Sequence, residues 1–401
     1  MNKKLLLSLT IAATAFVTSC NKKDTNSTNG STTLVPVTEF DLSTTAPAAV
    51  AVGGARYIAI PTVLPTNATL VTEAFTFMYG VGGTSAISTL VKSSLSNSRI
   101  KIEGVAAGAE VITIKPSGAT SKASGKTQTV NITVAAVDKT QPASDFKVTA
   151  GGQTSANGAL SLTVAQNAAI PLTFAGKDGN NPSVAITDFG TNNLINKVDA
   201  LSKGTSTVTL TAGTANGTLQ VSNTAGMEEV VIAANQNDDV NVKLSLTIVA
   251  PVTFANNTAV IGVITGVSIA GAATLPTLST LWNGTALAAD ATNVTTGITA
   301  NTALANDAVV QTISAGGILK IFTAATPALT AVPLGAYTAA IVNTTDGTRA
   351  GLSVTVNNDG SLVVKVADVT KLTANDSYTV TLTTTAATGN KTATFTIGIV
   401  A

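Results

Sequence analysis

Three stretches of this chain alternate apolar and polar residues with a period of two, and that period commits the backbone to strands. Val130, Ile132 and Val134 alternate with Asn131 and Thr133. Val240, Val242, Leu244, Leu246 and Ile248 alternate with Asn, Lys, Ser and Thr. Ala393, Phe395, Ile397 and Ile399 repeat the pattern near the C-terminus. Successive side chains of a strand leave opposite faces, so each stretch sets one face on a core and the other in water. After Val35 the rest of the chain consists of short β-branched runs broken by Gly, Asn, Pro and Asp clusters, which predicts an all-β protein. Pro142 and Pro251 follow the first two alternating stretches, so the three are read as the last strands of three units.

An internal repeat supports that division. Ile102, Val105, Gly108, Ile112 and Ile114 recur in character as Val198, Leu201, Gly204, Val208 and Leu210, at a constant offset of 96 residues. Physically this is a strand ending in an apolar corner, a glycine for the turn and a second strand returning. A looser version lies in the third unit: Leu362, Val364 and Val366, then Val369 and Leu372, then Tyr378, Val380 and Leu382, with Asn375-Asp376 in the place of the glycine. The phrase Gly104-Val105-Ala106-Ala107-Gly108-Ala109 before a strand, closed by a strand such as Val130–Val134, resembles bacterial immunoglobulin-like (Ig-like) domains of the group 2 kind. That resemblance implies tandem Ig-like β-sandwiches of the sort found in surface proteins and adhesins. The expected units are residues 36–137, 138–250 and 251–401. The third is one longer sandwich or two smaller ones meeting near 327–333.

The N-terminus carries a different signal. Lys3 and Lys4 precede an uncharged run from Leu5 to Val17, the layout of a secretory signal peptide and too short to span a bilayer. Val17-Thr18-Ser19-Cys20 resembles the lipobox of bacterial lipoprotein precursors. The resemblance implies cleavage after residue 19, acylation of Cys20, and attachment at the outer membrane or cell surface. Asn21 to Thr33 has no apolar residue, so residues 20–35 are read as a disordered tether. Val260 to Thr274 lies inside a long charge-free interval between Lys243 and Asp290, the one place where a membrane span could hide. Its Gly, Ser, Thr and β-branched content favours buried strands. Ile87, Leu90, Val91 and Leu95 fall at helical spacing and predict a short helix over Ser85–Ser96.

Composition removes most chemistries. Cys20 is the single cysteine and histidine is absent, which excludes disulfides, Ser-His and Cys-His nucleophiles, and most zinc and copper sites. The leader holds two of the 22 basic residues and none of the 21 acidic ones, leaving a formal net charge of −1 with three arginines: Arg56, Arg99 and Arg349. No basic stripe exists for nucleic acid.

Three kinds of site remain to be weighed. Glu228-Glu229 and Asp238-Asp239 are adjacent carboxylates, which on a strand point to opposite faces and in a turn face water, so both are expected as solvated hairpin ends. Asp178-Gly179-Asn180-Asn181, Asn237-Asp238-Asp239 and Asn357-Asn358-Asp359-Gly360 offer oxygens to calcium, but they also match the demands of tight turns, which are expected. Trp282 is the one tryptophan and is expected as a half-buried strand-end residue. No catalytic residue, metal ligand or cofactor is expected, and Cys20 is the one assigned site. The expected function is a non-enzymatic surface lipoprotein serving as stalk, adhesin or coat component. Alternatives are a glycan-binding surface lipoprotein, or a fimbrial subunit assembled by strand exchange, for which cleavage at Arg56 after a strand at Ala48–Val52 would open a groove. Expected partners are the membrane through the lipid, and glycans, other surface proteins or copies of the chain.

Overall fold

The computed structural model describes residues 34–117, 127–136, 141–250, 258–271, 277–282, 285–287, 294–298, 302–322, 331–384 and 392–401. Cys20, the expected leader and residues 21–33 of the expected tether lie outside these residues, while Leu34 and Val35 are described and the Val35 N–H donates to the Thr69 hydroxyl.

The described chain is nearly all strand. In its first part a four-stranded sheet runs Val50–Ala51, Gln128–Ala135, Gly108–Pro116, Phe75–Tyr79, and a three-stranded sheet runs Ala55–Ala59, Arg99–Gly104, Val91–Ser96. Between them Phe40, Ile58, Ile100, Ile102, Ile112, Ile114, Val130, Ile132 and Val134 form one buried core. Each such side chain contributes about 1.5–3 kcal/mol on leaving water.

The second part repeats the plan. Its five-stranded sheet is Gln153–Thr154, Lys147–Ala150, Ala169–Ala175, Asn216–Gln220, Thr207–Leu210, and its four-stranded sheet is Ala159–Ala165, Asn237–Val249, Gly226–Ala234, Ile195–Lys197. In the third part, six strands (Thr285–Leu287, Thr277–Trp282, Thr258–Ser268, Thr392–Val400, Ser377–Thr384, Tyr337–Asn343) face four (Val294–Thr296, Val309–Ile313, Leu362–Val366, Leu352–Val356).

The three parts share a closure that identifies the fold. In each, an early strand lies parallel to the last one: Val50 opposite Val134, Leu160 opposite Leu244, Ala259 opposite Ala393. All other pairs of named strands are antiparallel among the described residues. Antiparallel sheets packed face to face, with the first strand crossing over to run beside the last, are Ig-like β-sandwiches in tandem. The alternating stretches are those last strands, each with a strand on both sides. Thr392–Val400 is thus internal, its Ala393, Phe395, Ile397 and Ile399 buried, and not a free edge.

The repeat corners also appear. Gly108 (φ +156°) and Gly204 (φ +118°) occupy backbone conformations that side chains rarely adopt, and Asn375 (φ +70°) does so in the third part. Val260–Thr274 contributes the strand Thr258–Ser268, while 272–276 lie outside the described residues. Among the described residues no helix is long and apolar enough to cross a membrane.

One element differs from expectation. Ser85–Ser96 is not helical: Val91–Ser96 is a strand and residues 85–90 lead into it. The Ser88 hydroxyl accepts the N–H groups of Leu90 and Val91, and Asn97 and Ser98 (φ 49° and 61°) make the two-residue turn that returns the chain as Arg99–Gly104. Both positive φ values suit a hairpin, and pairing over six residues outweighs a helical period of about two turns.

Candidate functional site

The densest polar constellation lies where the first sandwich meets the second. Ala55–Ala59 is an outer strand of its sheet, with N–H groups that need acceptors. The hairpin joining Gly226–Ala234 to Asn237–Val249 supplies them. Gln236 holds a positive φ of 65° at its tip, its carbonyl accepts the Ala51 N–H, Asn237 Oδ1 accepts the Ala55 N–H at 3.2 Å, and Asp238 Oδ2 accepts the Tyr57 N–H at 3.0 Å. The edge of one sandwich is thereby closed by side chains of the next.

Arg56 completes the clamp. Its Nη1 lies 2.7 Å from Asp238 Oδ1, its Nε donates to the Ala49 carbonyl at 3.1 Å, and the two residues are 4% and 2% exposed. Burial pushes the Asp238 carboxyl above its ordinary range, against the downward pull of Arg56 and the Tyr57 N–H. Around this pair runs a wetter ring. The Tyr57 hydroxyl donates to Asp239 at 2.9 Å, and Lys101 bridges Glu103 at 3.0 Å and Asp239 at 3.2 Å. Hydrogen bonding to Glu103, then to Asp239, raises Lys101 beyond its ordinary value despite burial. Beside the ring Val198, Ala200 and Ala233 pack on Tyr57, Ala59 and Leu201, and the Arg99 Nε donates to the Ala200 carbonyl. Two open polar clefts flank the joint, one lined by Ser43, Thr44, Lys197 and Asp199, the other by Arg99, Lys203, Glu229 and Lys243.

A second joint uses backbone. Leu334 bridges in parallel to Val164: its N–H donates to the Thr163 carbonyl and its carbonyl accepts the Ala165 N–H. Buried side chains form one continuous cluster from Phe146 to Ile399 across this joint.

These contacts correct three expectations. Asp238 is not a solvated hairpin end; only Asp239 faces water, as the strand period demands. Glu228 is 9% exposed, accepting the Thr205 and Ser206 N–H groups and the Ser206 hydroxyl. Burial works against its charge, yet the Ser206 and Ser222 hydrogen bonds hold its carboxyl below the ordinary value. Arg56 sits inside a strand and a buried ion pair, 4% exposed, and not in the open loop that cleavage there would need; the strand before it is Val50–Ala51.

Of the three loops weighed for calcium and expected as turns, Asn237-Asp238-Asp239 spends its oxygens on Ala55, Arg56 and Tyr57, while the other two bond within themselves. Asp178 Oδ1 accepts the Asn180 N–H, and Asp359 Oδ1 accepts both the N–H and the hydroxyl of Ser361. Among the described residues no three of His, Cys, Asp and Glu gather. Trp282 ends the strand Thr277–Trp282. Arg349, the third arginine, donates to Asp376, whose side chain is 1% exposed. Chemically this is a set of clamps: every buried carboxylate named is already engaged by donors of its own chain. Sequence reasoning missed the joint, because nothing local to Arg56 marks Asp238, 182 residues away, as its partner.

No protein-family model and no curated relative matches the chain. Among solved structures it overlays on zebrafish RET cadherin-like domains 1 to 4 with a TM-score of 0.22 and 11% identity, covering 81% of this chain and 66% of that one, just under two thirds of its length. It also overlays on titin domains I67–I69 (an E-to-A mutated variant; TM-score 0.18, 11% identity, 90% of this chain and 98% of that one). A third overlay is on the Bacteroides ovatus mixed-linkage glucan utilization locus protein SGBP-B (TM-score 0.16, 12% identity, 89% and 67%). At such scores the fold is defined by this chain's own strand pairing.

Proposed function

We propose that the chain is a non-enzymatic lipoprotein of the bacterial outer membrane or cell surface, anchored by lipid on Cys20, whose Ig-like units (36–137, 138–250 and 251–401) form a stiff stalk. The observation that carries this reading is the clamp at the first joint. A flexible string of sandwiches needs no buried inter-unit ion pair, whereas a spacer that must hold a fixed direction does. A composition without histidine or free thiol fits a mechanical part better than a catalyst. The tether 20–35 sets the stalk off from the membrane.

The test is fractionation of cells carrying the wild-type chain or Cys20→Ala, with added protease acting on intact cells. The wild type sediments with outer membranes and is cut by external protease; the variant leaves the membrane fraction, because a diacylated cysteine is the anchor. Unchanged sedimentation of the variant, or full protection of the wild type from external protease, overturns the reading.

A further inference from the structure

We infer that the cleft beside the first joint, lined by Asn97 and Arg99 of the first sandwich and by Lys203, Asn241 and Lys243 of the second, binds the carboxylate of an acidic sugar, with the Arg99 guanidinium as its anchor. The inference goes beyond the stalk reading and rests neither on it nor on the lipid anchor.

The three arginines are held in different ways. Arg56 is paired with Asp238 and Arg349 with Asp376, so both are neutralised where they stand. Arg99 has no carboxylate partner among the described residues. Backbone carbonyls fix it instead: its Nε donates to the Ala200 carbonyl of the second sandwich and its Nη1 to the Asn97 carbonyl at 3.3 Å. A carbonyl orients a guanidinium without cancelling its charge, and these bonds use two of its five N–H groups. Nη2 donates to nothing among the described residues. The result is a planar fork, always charged, anchored on one side and open on the other, which is the partner a carboxylate accepts bidentately.

The neighbouring charges leave that surplus in place. Lys203 and Lys243 converge on one carboxylate, Glu229, at 3.7 and 3.2 Å, and Lys101 is shared between Glu103 at 3.0 Å and Asp239 at 3.2 Å. Asp239 also accepts the Tyr57 hydroxyl. Each carboxylate near the cleft is thus answered by a lysine, and the charge left over is that of Arg99. An anion entering here gains Arg99 and meets no unanswered negative group.

The rest of the lining selects the kind of anion. The cleft encloses about 770 Å³, within the range of pockets that take ligands of several rings. Its aliphatic members are Leu201 and Val231, and Val231 is only 4% exposed, so apolar side chains or acyl groups find little to bury against. Polar groups are plentiful by contrast. Asn241 gives its Nδ2 to the Asp238 carbonyl at 2.7 Å, which leaves its Oδ1 to accept a hydroxyl, and the lysine ammonium groups can donate to others. A carboxylate carried on a ring of hydroxyls answers both halves of this lining. A ligand that reaches from Arg99 to Lys243 touches both sandwiches at once.

The experiment is calorimetric titration of the full chain, carrying Cys20→Ser, with tetragalacturonate at low salt. Its methyl ester supplies the same rings without charge, and tetraglutamate supplies the charge without the rings. Tetragalacturonate should bind, more weakly as salt rises, and each of the two controls should bind at least about tenfold more weakly. Arg99→Gln should weaken binding by about tenfold or more, since a hydrogen-bonded charge is lost. Because Arg99 also holds Ala200, its urea midpoint is measured alongside. The double variant Lys203→Gln/Lys243→Gln touches no contact between the sandwiches, and by leaving Glu229 unanswered it should weaken binding about fivefold or more. Lys147→Gln, on an exposed position of another strand, should change nothing. No binding at millimolar tetragalacturonate, equal binding of either control, or undiminished binding by folded Arg99→Gln or by the double lysine variant would each overturn the proposal; equal binding of tetraglutamate would make the cleft a peptide site instead.

Discussion

Breaking the Arg56–Asp238 pair from either side should cost far more than replacing it whole. Both groups are nearly out of water and lie 2.7 Å apart. A buried pair that loses one partner leaves an uncompensated charge, at about 3–5 kcal/mol. The two sides should differ. In Asp238→Asn the guanidinium stays charged, because arginine does not give up its proton, so the cost sits at the top of that range. In Arg56→Met the carboxyl has an escape: burial already raises it, so it can take up a proton and lose less. The sign follows from that direction. A group whose folded value lies above its unfolded one favours the folded state at low pH and loses that contribution as pH rises, so the Arg56→Met deficit should shrink on acidification while the Asp238→Asn deficit should not. The double variant Arg56→Met/Asp238→Leu removes both charges and should fall within about 1 kcal/mol of wild type. Urea unfolding of the full chain, arranged as a double-mutant cycle of Arg56→Met, Asp238→Leu and the double variant, should give a coupling of at least about 2 kcal/mol. A coupling under about 0.5 kcal/mol, the level of an exposed pair, would refute the clamp.

The corner glycines should differ in sensitivity. A Cβ on Gly204 would lie 2.2 Å from the Glu228 Cδ, so Gly204→Ala should cost about 2 kcal/mol or more, whereas Gly108 meets only the tip of Leu90 at 2.9 Å and Gly108→Ala should cost about 1 kcal/mol; equal urea midpoints for the two variants would contradict this. Because Glu228 is held below its ordinary value, its contribution is full above the usual carboxylate range and fades as pH falls through its folded value. The midpoint difference between wild type and Glu228→Gln should therefore narrow between pH 6 and pH 3, and a constant difference would remove the charge from the explanation. Deleting residues 395–401 removes Phe395, Ile397 and Ile399 from the middle of a six-stranded sheet and should unfold the third sandwich, seen as lost strand signal in circular dichroism; a truncated chain that keeps its protease resistance would show the strand to be dispensable.

Much of this architecture was legible, and the reason is the strand period. Val130–Val134, Val240–Ile248 and Ala393–Ile399 announce their buried faces because each has one side on a core, and the corner repeat is visible because a left-handed backbone restricts the residue that can occupy it. The Ser85–Ser96 region misled because Ile87, Leu90, Val91 and Leu95 match about two helical turns, while the decisive Asn97-Ser98 turn lies just outside. The joint was illegible for a different reason. Asp238 beside Asp239 reads as a hairpin end, and so it is; what buries it is another sandwich, far away in sequence.

The scarcity of charge in this chain ties these features together. With 11% charged residues, there are few lysines to guard strand edges, and the usual defence against unwanted pairing is thinly spread. The molecule protects edges by neighbours instead: Asn237 and Asp238 over Ala55–Ala59, Leu334 against Ala159–Ala165. Each cover ties one sandwich to the next, so closing an edge and stiffening the row are a single structural act.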